Sequence, residues 1–382
     1  MAKSNIPMEE PWLMRYRDDA ISVEWISDNE ALEEACGRIG SVLALDTEFM
    51  RTNTYYPVPG LYQIGLEDVV FLVDPLAITE WEPLREVFED PSIVKIMHAC
   101  LEDLELLYHH LGTRLQQVFD TQYANAFVTD RFSLSYAGLV EERLGVSLSK
   151  HETRSDWLQR PLSEEQVEYA VEDVIYLPAI YEALKAELEE RDRLSWYYDD
   201  MADRQRYDPI NPAEYYRNLK RGWQLSEEQL AMFQSLCQWR EHTAQSENVP
   251  RNRVVWDEHL FNFAQLDELS EADVRAALPG SVARKYAEPL VAASRTTAAM
   301  SVQPLPIPLT SAQGIVVKTL RTIGLEKATS LEMAPELICR KRDLEECVRV
   351  HAKMGQLSDT YSTWRIEIVG DDCLSILDAS VV

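Results

Sequence analysis

Four acidic residues and one tyrosine in this sequence have the types and spacing that metal-assisted chemistry needs. Asp46-Thr47-Glu48 closes a strongly apolar run, SVLALD. Residues two apart on a strand face the same way, so both carboxylates can converge on one divalent cation. A third carboxylate is expected from HACLEDLELL (98–107), with Asp103 the preferred residue and Glu102 and Glu105 the alternatives. In YAVEDV, Tyr169 and Asp173 stand four apart, which on a helix brings a phenol and a carboxylate to one face about a turn apart. Hard cations such as Mg²⁺ or Mn²⁺ prefer oxygen donors, and clustered carboxylates repel one another until a cation neutralises them.

The surrounding elements must deliver those side chains. Strands are expected at 41–46, 61–66, 69–74 and 92–98, and helices at 81–90 and 101–111, the pattern of an α/β domain. LYQIGL at 61–66 alternates apolar and polar positions. Segment 92–98 places 98–107 at the carboxyl end of a strand, where α/β folds commonly bind ligands. Ser163 with Gln166 reads as a capping box opening the helix of Tyr169 and Asp173, and Pro178 is expected to kink or divide it. His98 reads as a structural histidine and Trp157 as a packing residue.

Further along, Ser226 with Gln229, Ser270 with Asp273 and Thr310 with Gln313 each open a helix. Polar, proline-bearing 204–222 and SVQPLPIPLT (301–310) read as connectors. The expected organisation is an α/β domain over 1–212, a helical module over 213–297, and a linker with a second helical module over 298–382.

Of 382 residues, 37 are Lys or Arg and 65 Asp or Glu, giving a net charge of -28. That acidity argues at first against a polyanionic partner. It is uneven, however: residues 1–212 hold 18 basic against 42 acidic side chains, whereas the two later modules are close to neutral. Six widely spaced cysteines without a C-x-x-C pair suggest neither a disulfide scaffold nor a zinc site, and fit a reducing cytoplasm. No run is long enough to span a bilayer and no apolar leader opens the chain, so neither membrane insertion nor secretion is expected. A phosphate-binding G-x-x-x-x-G-K-[ST] loop is also missing, which excludes a P-loop helicase.

Taken in order, LALDTEF (43–49), HACLEDLELL (98–107) and YAVEDVIYL (169–177) resemble the three motifs of the DEDDy 3′→5′ exonuclease superfamily. DTEFMRTNTYYPVPGLYQIG (46–65), DTQYANAF (120–127), LSKHETRSDWLQRPLSEEQVEYAVEDVIYL (148–177) and WREHTAQSENVPRNRVVWDEHL (239–260) extend the resemblance to the bacterial ribonuclease D family. It implies an RNase H-like exonuclease domain with a mixed sheet, followed by two HRDC-type helical domains. The implied activity is metal-dependent hydrolysis of RNA from a free 3′-OH, releasing nucleoside 5′-monophosphates and trimming 3′ trailers of tRNA precursors.

Carried over by motif, Asp46, Glu48, Asp103 and Asp173 become the ligands of two divalent cations, Mg²⁺ or Mn²⁺. Asp46 bridges both; Glu48 and Asp173 hold the one bearing the attacking water, which Tyr169 orients; Asp103 serves the second. Phe49, Met50 and Tyr55 are candidates to touch the terminal base or ribose. Arg51, Lys150, Arg154 and Arg160 are candidates for phosphate, each able instead to compensate a nearby acid. A monomer is expected. A DNA 3′→5′ exonuclease and a non-catalytic RNA-binding scaffold are the competing readings, the second disfavoured by the complete carboxylate set.

Overall fold

The computed structural model describes residues 21–148, 155–296, 302–359 and 361–380. Lys150 and Arg154 lie outside the described residues. The chain divides into two compact units: Met1–Met50 with Pro59–Tyr207 and Leu309–Val382, and Arg51–Val58 with Asp208–Pro308.

The first unit is built on a mixed six-stranded sheet: β1 (Ser22–Ile26), β2 (Val42–Met50), β3 (Val58–Gly65), β4 (Val69–Val73), β5 (Val94–Met97) and β6 (Val118–Asp120), in the order β1-β4-β3-β2-β5-β6. β1 runs parallel to β4, and β5 parallel to β2 and β6, while β3 and β4 form an antiparallel pair. Its helices are α1 (Asn29–Gly37), α2 (Glu82–Glu89), α3 (Leu101–Leu111), α4 (Thr121–Val128), α5 (Tyr136–Leu144), α6 (Glu164–Ile175), α7 (Leu177–Glu190) and α8 (Leu194–Arg204). The all-apolar β4 and nearly all of β3 are buried on both faces, as central strands of a covered sheet must be.

Local chemistry explains the element that matters most for function. Ser163 and Gln166 form a complete capping box at the start of α6, satisfying two backbone N–H groups reciprocally. Pro178 then divides the helical run rather than kinking it: α6 ends at Ile175, and Pro178 sits in the first turn of α7, where its missing N–H costs nothing. β2 runs past the expected end at Asp46 to Met50, so Asp46 and Glu48 are strand residues rather than a strand terminus. The short β1, β6 and α1 were not expected from the sequence.

The second unit contains α9 (Glu227–Ser246), α10 (Arg251–Val254), α11 (Asp257–Phe263), α12 (Glu271–Ala277) and α13 (Gly280–Ser294), with capping boxes at Ser226 and Ser270. α14 (Ser311–Ser330), α15 (Lys341–Met354) and α16 (Thr363–Ala379) belong to the first unit. The expected third body thus shares a core with the α/β sheet. The reason is physical: Trp364 stacks on Trp196 with ring centroids 5.2 Å apart, and Arg365 grips Asp200 with bonds of 2.7 and 2.6 Å. The Ala334 N–H donates to the Ala126 carbonyl at 2.8 Å.

Candidate active site

β2 and α6 bring three of the predicted carboxylates together. Asp46 and Glu48 share a face of β2, and α6, which packs on β2 and β4, turns Asp173 toward them. One oxygen from each of Asp46, Glu48 and Asp173 lies within 4.8 Å of the others. Thr47, between the first two, faces the opposite way, and its hydroxyl donates to Asp103 at the start of α3. Asp103 is therefore near the cluster without being one of its three converging members.

The electrostatics of the group are those of acids lacking a counter-charge. Burial, then the charge of Asp173, holds the Asp46 carboxyl well above its usual range, with a hydrogen bond from the Thr47 backbone opposing. Burial together with Asp46, Asp173 and Asp103 pushes Glu48 up to about 10. Asp173 is raised to about 7, chiefly by burial, while the Tyr169 phenol donates a hydrogen bond that pulls the other way. Asp103 is raised well above its ordinary value by burial and by Asp46. No lysine or arginine among the described residues acts on any of these four charges.

That donor set fits a divalent cation. Oxygen-only ligands, mutual repulsion and no protein cation among the described residues leave the charge to be balanced by Mg²⁺ or Mn²⁺, and a cluster of this type suits a two-metal-ion site. Tyr169 lies on the same face of α6 as Asp173, and burial and the neighbouring carboxylates raise its phenol well above its usual value. A phenol in that state donates hydrogen bonds and is a poor proton acceptor unaided.

The other candidates are distributed differently. Phe49 packs partly against the core, Met50 ends β2, and Arg51 is exposed at the start of the 51–58 segment. Tyr55 sits in the second unit. Its hydroxyl donates to Glu241 at 3.1 Å and accepts from Arg251 at 2.7 Å and Gln245 at 3.1 Å, and the Arg251 guanidinium covers its ring at 4.7 Å. Tyr55 is thus engaged by protein on its polar end and on one ring face. Arg160 compensates an acid: it binds Asp74 at 2.8 and 2.6 Å and the Gly60 carbonyl at 2.6 Å.

Supporting residues escaped the sequence reading. A Cβ on Gly60 would meet the Trp157 Cβ at 2.5 Å, so only glycine lets the buried Trp157 segment settle on β3 beside the Glu48 backbone. Tyr136 reaches in from α5 and donates to the Glu172 carbonyl at 3.0 Å, bracing the turn that carries Asp173. His98 is structural as expected, its ring nitrogens engaged by Thr121 at 2.9 Å and the Leu134 carbonyl at 3.1 Å.

Comparison with known proteins places this geometry. The family described as 3′-5′ exonuclease matches residues 23–189, and the HRDC domain matches residues 229–293. Ribonuclease D of Pseudomonas paraeruginosa is 39% identical over 373 residues, covering 94% of this chain and 99% of that protein. The chain belongs to the ribonuclease D family. Ribonuclease D of Escherichia coli, 33% identical, superposes in its crystal structure with a TM-score of 0.85 over 94% of this chain and 99% of that one. That protein is described as an exoribonuclease involved in structured RNA processing. The catalytic core of RRP6 from Trypanosoma brucei, 24% identical with a TM-score of 0.57 over 74% of this chain and 82% of that one, shares the fold. This ribonuclease D-family chain is a hydrolase, a metal-dependent 3′→5′ exoribonuclease. Among the described residues no helix is long and apolar enough to cross a membrane.

Proposed function

We propose that this chain trims the 3′ trailers of tRNA precursors and other stable RNAs, working as a cytoplasmic monomer, with Asp46, Glu48, Asp103, Tyr169 and Asp173 as its catalytic residues. The observation that carries the site assignment is the convergence of Asp46, Glu48 and Asp173 within 4.8 Å with no cationic side chain among the described residues to balance them. When bound, a pair of divalent cations lowers the pKa of water and stabilises charge on the attacking and leaving oxygens of a phosphodiester. Asp46 would serve both cations, Glu48 and Asp173 would help hold the one that carries the attacking water, and Asp103, bonded to Thr47, would help hold the other. Tyr169 positions the attacking water through its hydroxyl. Water adds to phosphorus, the bond to the penultimate 3′ oxygen breaks, and a nucleoside 5′-monophosphate leaves behind a new 3′-OH.

Phe49 and Met50, following Glu48 on β2, are proposed to meet the terminal nucleotide, and Arg51, Lys150 and Arg154 its phosphates. The module boundaries at 212 and 297 belong to the same reading, with 213–297 the HRDC domain and 298–382 a second HRDC-like segment. A tRNA precursor labelled at its 5′ end tests the function: with Mg²⁺ or Mn²⁺ a ladder of progressively shorter labelled products is expected, and with EDTA none. Equal rates on matched DNA would move the assignment to a general exonuclease. Unchanged activity in a folded Asp46→Asn variant would sink the site.

A further inference from the structure

Gln63 is fully buried in β3, and both ends of its amide lack a hydrogen-bond partner among the described residues. Buried amides are almost always bonded, so an orphaned one asks for an explanation. Its place in the sheet supplies it. A Cβ on Gly65 would stand 3.3 Å from the Ala44 Cβ and 3.3 Å from Val174 of α6, while one on Gly60 would stand 3.2 Å from the Glu48 carbonyl oxygen. The chain thus advances along β3 as it retreats along β2, an antiparallel register that sets Gln63 opposite Asp46. Alternation puts Gln63 on the face of Gly65, the face covered by α6, and Asp46 on the face of Ala44. Tyr62, on the other face of β3, packs against Trp81 and His110 instead.

We propose that Gln63 is a positioning residue of the metal site: unbonded in the metal-free chain, its Nε2 donates to the Asp46 carboxylate once a divalent cation is held there, and so fixes that group's orientation. A ligating carboxylate keeps lone pairs free to accept such a bond, and outer partners of this kind set ligand geometry. In LYQIGL the glutamine has the look of the solvated half of an alternating strand, yet β3 is buried on both faces, so its amide serves the protein interior.

The inference rests on the carboxylate cluster being the metal site, and the experiment separates the two. Mn²⁺ binding to the full chain is followed by calorimetry and by Mn²⁺ paramagnetic resonance for wild type, Asp46→Asn and Gln63→Met, a swap that keeps length and removes the amide. Gln63→Met is expected to bind Mn²⁺ about 10–100-fold more weakly and to lose kcat on RNA with KM little changed, as for removal of an outer-sphere partner. Its metal-free melting temperature should not fall, because the orphaned polar group is gone. Wild-type Mn²⁺ affinity and kcat in folded Gln63→Met would overturn the proposal. If Gln63→Met does not fold, Gln63→Asn withdraws the amide by one methylene and is read in the same way: full Mn²⁺ affinity overturns the proposal, weakened affinity supports it. Failure of wild type to bind Mn²⁺, or full binding by Asp46→Asn, would count against the cluster itself.

Discussion

Two carboxylate sites in this molecule, one fully buried and one half-buried, meet the same difficulty in opposite ways. In the second unit Glu241, with no exposed surface, is gripped by Arg251 at 2.7 Å and touched by Arg240 at 3.2 Å, with the Tyr55 hydroxyl completing its shell. In the first unit Asp46, Glu48 and Asp173 converge with no guanidinium or ammonium among the described residues acting on them. A carboxylate buried with its counter-charge is a structural element, because removing either partner strands the other. Carboxylates gathered without one are held in a repulsive arrangement that a bound cation or a retained proton relieves. The first arrangement serves the fold; the second is kept at the fold's expense for chemistry.

The largest expected effect tests the second half of this contrast. Asp46→Asn should lower kcat at least about a thousandfold, the scale of losing one member of a catalytic unit, in a gel assay on 5′-labelled RNA. Next, Glu241→Gln should cost about 3 kcal/mol in urea denaturation by leaving Arg240 and Arg251 short of charge, with no defect in Mn²⁺ binding. A stable Glu241→Gln protein would erase the distinction between the two sites. Tyr169→Phe should lower kcat by about a hundredfold with KM for RNA nearly unchanged, as expected for a group that positions water or moves a proton.

The smallest effect is a pH dependence. The folded-state pKa of Asp173 is about 7, and that of Glu48 about 10, both above the ordinary carboxylate range. Between the unfolded and folded values the folded chain holds the extra proton, so stability falls as pH rises through that window. The melting temperature in EDTA should therefore decline from pH 5 to pH 8, Mg²⁺ should flatten the decline, and Asp46→Asn should flatten it without metal. A slope indifferent to both would show that these acids carry their charges without mutual strain.

The motif residues were legible because local rules govern them. D-x-E needs only strand alternation, and the Tyr169–Asp173 pair needs only a helix that Ser163 and Gln166 start and Pro178 closes. Asp103 stood apart from Glu102 and Glu105 by motif; the structure adds that it is the one bonded to Thr47. β1 and β6 were too short, at five and three residues, to stand out from irregular chain. Tyr55 showed an aromatic side chain following a nuclease motif, and nothing local reveals that Glu241, Gln245 and Arg251, nearly two hundred residues on, engage it.

By itself the sequence determined the chemistry on offer: oxygen donors for a divalent cation, a phenol one helical turn from an acid, and the strand and helix that carry them. Periodicity and capping act over a few residues, so they can be read without knowing the fold. Only the tertiary structure decided which buried acids found a counter-charge, that the helices beyond Leu309 share the core of the first unit, and that the Gln63 amide lies unbonded across from Asp46. Each of those depends on which distant segments meet, and burial turns such meetings into large differences in charge and hydrogen-bond energy.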